Sequence, residues 1–97
     1  MIHFVIAKFK PEIPAEEKEA MYPEILDLFS HTKSIPGIRD VRMRTNCVNR
    51  PNRYDIMIMI DMEPDALPLY DECEWHKRWK SEYGALLETK AIFDSES

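Results

Sequence analysis

Cysteine is scarce in this chain. Cys47 and Cys73 are the only two among 97 residues, with no C-x-x-C pair and no histidine cluster at metal-ligand spacing. A disulfide-rich scaffold and a structural zinc site are thereby excluded, and two free thiols fit a reducing compartment. Positive charge is in deficit too. Thirteen Lys and Arg stand against eighteen Asp and Glu, for a net charge of −5, which argues against nucleic acid or anionic membranes as main partners. Long hydrophobic runs are absent: the first apolar stretch, Ile2 to Ala7, meets Lys8 and Lys10 too soon for a signal peptide or a membrane span. A cytoplasmic protein is expected. There are no repeats, linkers or low-complexity tracts either.

What is present is a globular composition, 44 % apolar and 32 % charged, at a length that suits one domain over residues 1–97. A chain of this size buries only about 60–65 % of its unfolded surface, so a partner that covers more would add stability. Ile2 to Phe9 is short, apolar and partly β-branched, and reads as a first strand. Pro11 and Pro14 end it. Pro14-Ala15-Glu16-Glu17 suits a helix start, with proline in the first turn and carboxylates at the positive end of the dipole. Tyr22, Ile25, Leu26 and Phe29 then form one apolar stripe, and Pro23 predicts a kink or two half-helices between residues 15 and 32. His31 suits the negative end of that helix.

Ser34-Ile35-Pro36-Gly37 is a turn signal. Val41 to Thr45 alternates as a half-exposed strand, and Arg42 and Arg44 read as a solvated row that discourages edge aggregation. After a loop at Asn49-Arg50-Pro51-Asn52, Tyr54 to Met62 is a third strand, paired with the second as an antiparallel hairpin. A second helical region runs from Pro64 to Tyr83, with Gly84 as its C-cap, and Leu86 to Phe93 closes the chain as a fourth strand. The order β-α-β-β-α-β predicts an α+β, ferredoxin-like fold: a four-stranded antiparallel sheet with strands one and three at its centre.

The third strand bears on assembly. Ile56, Ile58 and Ile60 point to one face, Met57 and Met59 to the other, and the first strand likewise has apolar residues on both sides. Two helices cover only one face of such a sheet, so the face with Met57 and Met59 is expected to be hidden by a second copy of the chain.

Candidate chemistry is confined to few side chains. His3 shares its face of the first strand with Val5 and Ala7, where a neutral imidazole can donate and accept. His76, Trp79 and Tyr83 fall at i, i+3 and i+7, which places His76 beside aromatics, either as a desolvated, neutral general base or as a core histidine bonded to a carbonyl. Tyr70 lies six residues before His76. On a straight helix those six steps leave it about 120° around and about 9 Å along the axis, so the two converge only if the helix breaks near Cys73-Glu74. Nothing in that pair announces a break. Cys73 reads as a small buried hydrophobe and Trp75 with Trp79 as packing. Asp55 and Asp61, roughly 20 Å apart on a strand, cannot act as a carboxylate pair.

Several segments, in order, carry a family likeness: His3 to Glu12, Ile35-Pro36-Gly37-Ile38, Tyr54-Asp55-Ile56, Ala66-Leu67-Pro68-Leu69-Tyr70 leading to His76, and Ala91-Ile92-Phe93-Asp94. Across nearly its whole length the chain resembles the stress-responsive A/B barrel domain family of the dimeric α+β barrel superfamily. The resemblance implies a homodimer of two sheets packed into a barrel, with a cleft between sheet and helices in each subunit. The family's plant polyketide cyclases close a tetraketide by an aldol reaction, using a tyrosine and a histidine six residues apart. Tyr70 and His76 match that spacing: Tyr70 would polarise a carbonyl and His76 would remove a proton alpha to it. His3 would line the same cavity, and Val5, Ile56, Ile58 and Trp79 are taken as further substrate-binding residues. Three positions depart from the family pattern. Cys73-Glu74-Trp75-His76 stands where His-Pro-x-His is usual, and Ile56 stands where the cyclase has a strand histidine. The expectation is a protein that binds a small, largely apolar molecule, with acid–base chemistry on a carbonyl compound and with no cofactor or metal. The alternatives are a non-catalytic stress-related binding or structural protein and, further off, a haem-degrading monooxygenase, whose first-strand asparagine has no counterpart in Met1 to Lys10.

Overall fold

The computed structural model describes residues 1–97 as one four-stranded antiparallel sheet with helices on one face. The elements are β1 (Ile2–Phe9), α1 (Ala15–Ser30), β2 (Ile38–Thr45), β3 (Ile56–Met62), α2 (Leu67–Glu72), α3 (Glu74–Tyr83) and β4 (Leu87–Ser95). Short 3-10 turns at His31–Ser34, Pro64–Ala66 and Gly84–Leu86 join them. The sheet order β2-β3-β1-β4 puts the two apolar strands in the middle, as the ferredoxin-like pattern requires. No helix is long and apolar enough to cross a membrane.

Alternation does most of the folding work. His3, Val5, Ala7 and Phe9 of β1 and Ile56, Ile58, Ile60 and Met62 of β3 are all buried on the helix-facing side. Ile25, Leu28 and Phe29 of α1, with Trp79 and Tyr83 of α3, close over them. On the opposite side Phe4, Ile6, Met57 and Met59 are half-buried, with no layer of the chain above them. Phe93, on that same side through its pairing with Phe4, is 61 % exposed, its ring 5.9 Å from that of Phe4.

Three local expectations are corrected. Pro23 does not split the first helix, which runs unbroken from Ala15 to Ser30. Pro23 is exposed, so the carbonyl that its ring deprives of a partner faces water, where the loss is small. The strand after the turn starts at Ile38, three residues early, because Gly37 reverses the chain with φ +93° and lets Ile38 join the core. The region Pro64–Tyr83 is not one helix: it is broken at Cys73, whose φ of −72° and ψ of 157° are those of an extended residue.

Candidate functional site

Cys73 is the joint that builds the site. It ends α2 and N-caps α3: its Sγ accepts a hydrogen bond from the His76 backbone N–H at 3.4 Å. Asp, Asn, Ser and Thr are the usual residues for this role, and the weak acceptor sulfur replaces them here. This corrects the reading of Cys73 as a buried apolar filler; the side chain is half-buried and holds a helix end. The break turns α3 relative to α2 and brings the Tyr70 and His76 rings to a centroid separation of 4.7 Å. His3 reaches the same place from β1, its ring edge-on to Tyr70 at 5.2 Å. Of the predicted site residues, Tyr70, His76 and His3 therefore form one cluster, with Tyr70 in the middle.

Hydrogen bonds fix the tautomers. His76 Nδ1 lies 3.1 Å from the Asp71 carbonyl oxygen. A carbonyl only accepts, so Nδ1 carries the proton and Nε2 keeps its lone pair. His3 Nδ1 lies 2.6 Å from Asp94 Oδ1, and the same logic gives Nδ1 the proton when Asp94 is ionised. Burial lowers the pKa of His76, and Lys80 and Lys90 push the same way, against the Asp71 carbonyl and carboxylate. Its imidazole is thus held neutral. Burial also raises the Tyr70 phenol well above its ordinary value, with smaller contributions from Cys73 and Asp71, so Tyr70 keeps its proton and can only serve as a donor or polariser. Tyr70 is 1 % exposed, and its hydroxyl has no hydrogen-bond partner among the protein's own groups.

The remaining expected ligand contacts are placed differently. Val5, Ile56, Ile58 and Trp79 are buried in the continuous core, at 2 % exposure or less. Trp79 packs edge-on against Phe29 at 5.2 Å and beside Tyr83 at 5.6 Å, so its indole occupies the volume between α1 and the sheet where a deep cleft was expected. These four residues belong to the same core cluster as Tyr70. Ile92, paired with Val5 and so on the helix-facing side, is 52 % exposed; the helices leave β4 uncovered there.

Other polar residues weighed from the sequence serve structure. Asp55 accepts from the Phe9 N–H at 2.7 Å and from Lys18 at 3.2 Å. Arg39 pairs with Asp61 and Glu63, Arg42 with Asp40, and the His31 ring caps the Asp27 carbonyl. Asp94 is the member of the cluster that sequence reasoning left out of the site; its place in a terminal apolar strand, Ala91-Ile92-Phe93-Asp94, was the available signal. No group of three or more His, Cys, Asp or Glu side chains is arranged to hold a metal ion.

Fold and cluster together define a ferredoxin-like α+β protein with an imidazole–phenol–imidazole group under its C-terminal edge strand. No family model and no curated protein matches the sequence. Solved structures match its fold. The chain is similar to a dimeric protein of unknown function with a ferredoxin-like fold from Bacteroides fragilis, at 20 % identity and TM-score 0.80, over 99 % of this chain and 94 % of that one. It is similar to a dimeric ferredoxin-like protein of unknown function from Thermobifida fusca, at 13 % identity and TM-score 0.76, over 95 % and 85 %. A hydroxynitrile lyase from Passiflora edulis superposes at TM-score 0.69 with 10 % identity, over 99 % and 94 %. At these identities the likeness shows the fold alone.

Proposed function

We propose that the chain is a cytoplasmic, homodimeric protein of the stress-responsive A/B barrel type, whose Tyr70 and His76 carry out acid–base chemistry on a small, largely apolar carbonyl compound. One observation carries the reading: a buried phenol with no partner is held against the ring of a histidine that burial keeps neutral. Unpaired buried polar groups are costly and rare, and they concentrate where a ligand completes them. In the proposed step a substrate carbonyl oxygen accepts from the Tyr70 hydroxyl, and His76 Nε2 takes a proton from the adjacent carbon. The electron pair of the broken C–H bond moves onto the carbonyl as an enolate, which the phenol stabilises. His3, locked by Asp94, holds the Tyr70 ring from behind. Because the hydroxyl is fully covered, entry requires α2, six residues long and jointed at Cys73, to move outward on the β4 side. The second copy would cover Phe4, Ile6, Met57, Met59 and Phe93, a reading supported by the dimeric description of the structural neighbours.

The closed packing around Trp79 favours a second reading, in which the same cluster binds a ligand without turning it over. Deuterium uptake by 1-phenylpropan-2-one in D2O, followed by NMR, separates the two. Exchange faster than buffer with the native protein and at the buffer rate with His76→Ala supports the acid–base reading. Equal rates with both proteins overturn it and leave binding.

A further inference from the structure

The residues between β2 and β3, 46–55, fold back over the far end of β1, about 20 Å along that strand from His3. Four hydrogen bonds hold them there. The Asp55 N–H donates to the Ala7 carbonyl at 2.9 Å, and the Asp55 carboxylate accepts from the Phe9 N–H at 2.7 Å and from Lys18 of α1 at 3.2 Å. Lys8 donates to the Pro51 carbonyl at 2.6 Å. Loop, strand and helix together border a cavity of about 440 Å³, lined among others by Lys8, Lys18, Arg50, Arg53, Asp55 and Glu88. That volume lies in the range of small-molecule sites, roughly 300–1,000 Å³. The charge of the lining is opposite to that of the chain: four cations face two acids, a balance of +2 where the whole protein carries −5. Both acids are already engaged, Glu88 with Lys8 at 3.2 Å and Asp55 with Lys18 at 3.2 Å. Arg50 and Arg53 are in no ion pair, and Arg53 is half-buried.

We propose that this cavity is a binding site for a small phosphate monoester, whose phosphate is held by Arg50 and Arg53 and whose organic part lies against Val48 and Pro51, which share the lining. A phosphate monoester carries about −1.5 to −2 at pH 7, which matches the balance of +2. Guanidinium groups suit it, because their planar forks offer paired N–H donors to phosphate oxygens. The tethers at Asp55 and Lys8 order the loop before a ligand arrives, which lowers the entropic cost of binding. The site is separate from the acid–base cluster, since neither Tyr70 nor His76 lines it.

The test is an NMR titration of the native protein at low salt with phenyl phosphate, inorganic phosphate and benzyl alcohol, each alone. Phenyl phosphate is expected to shift the Val48, Arg50 and Arg53 signals to saturation and to bind tighter than either of the others. The Arg50→Gln, Arg53→Gln double variant should bind it about 5–25-fold more weakly, each guanidinium being worth up to about fivefold. Neither arginine is ion-paired, so the variant is expected to fold, with an unchanged circular dichroism spectrum. The Lys33→Gln, Lys77→Gln double variant makes the same change in net charge at exposed positions that do not line the cavity, and it should leave the affinity as it was. Equal weakening in the two double variants would show attraction to net charge alone and overturn the proposal. So would inorganic phosphate binding as tightly as phenyl phosphate, or shifts centred away from residues 46–55.

Discussion

Replacing Tyr70 by Phe removes a single oxygen, and the structure makes that deletion informative in two directions. The hydroxyl is buried without a partner, while the ring packs against His3 at 5.2 Å and His76 at 4.7 Å. Phe retains the ring contacts. A hydroxyl withdrawn from water and left unpaired costs about 1–3 kcal/mol, so Tyr70→Phe should stabilise the free protein by about 1–2 kcal/mol. For a domain of this length each kcal/mol raises the melting temperature by about 4–8 °C. Urea unfolding at pH 7 is the direct assay: the midpoint should rise with an unchanged slope. The same variant should slow deuterium exchange into 1-phenylpropan-2-one by about 10²–10³-fold, the usual loss for one donor to a developing oxyanion. Greater stability with lower activity is the signature of a group kept for function. A variant destabilised by 1 kcal/mol or more would show that the hydroxyl is satisfied in the folded protein. That outcome would refute the reasoning.

Other substitutions probe the supports of the site and the assembly. Cys73→Ser should strengthen the α3 cap and keep the Tyr70–His76 contact, whereas Cys73→Ala should cost about 0.5–1 kcal/mol in urea and broaden the His76 signals. Gly37→Ala forces a side chain to adopt φ +93° with its Cβ 3.1 Å from that of Ala66, and should cost more than 1 kcal/mol by thermal melting. Met59→Lys places a charge on the half-buried open face of the sheet and should convert a dimer to a monomer in sedimentation velocity with the fold retained by circular dichroism; an unchanged dimer would remove that face from the interface.

Much of this structure is legible in the amino-acid sequence because a strand's two-residue period is easily read. The alternation of Ile56, Ile58 and Ile60 with Met57 and Met59 sets the buried and open faces of β3, and the polar pattern of β2 marks it as an edge. The candidacy of His3, Tyr70 and His76 is legible as well, since such residues are few, and the structure brings their rings together. The geometry of that cluster is not. The contact depends on a helix break that Cys73 makes through a sulfur cap, and cysteine carries no strong capping signal. The closure of the expected cleft was equally hidden, because the direction in which Trp79 packs depends on Phe29, fifty residues earlier in the chain. Asp94 escaped notice for the same reason: only the register of β4 on β1 sets it beside His3.

The central claim is that His76 acts as a neutral base, and its most direct test is the pH dependence of deuterium exchange into 1-phenylpropan-2-one. Burial chiefly, with Lys80 and Lys90, holds the folded-state pKa of His76 below the ordinary 6.5. The unfolded chain therefore binds this proton first as pH falls, so the stability tied to His76 is full above about 6.5 and is lost as pH drops through the folded value. Exchange should follow the folded-state ionisation, rising with pH through a midpoint below 6.5 and vanishing in His76→Asn. A rate that climbs only above pH 7, or one that survives in His76→Asn, would contradict the account.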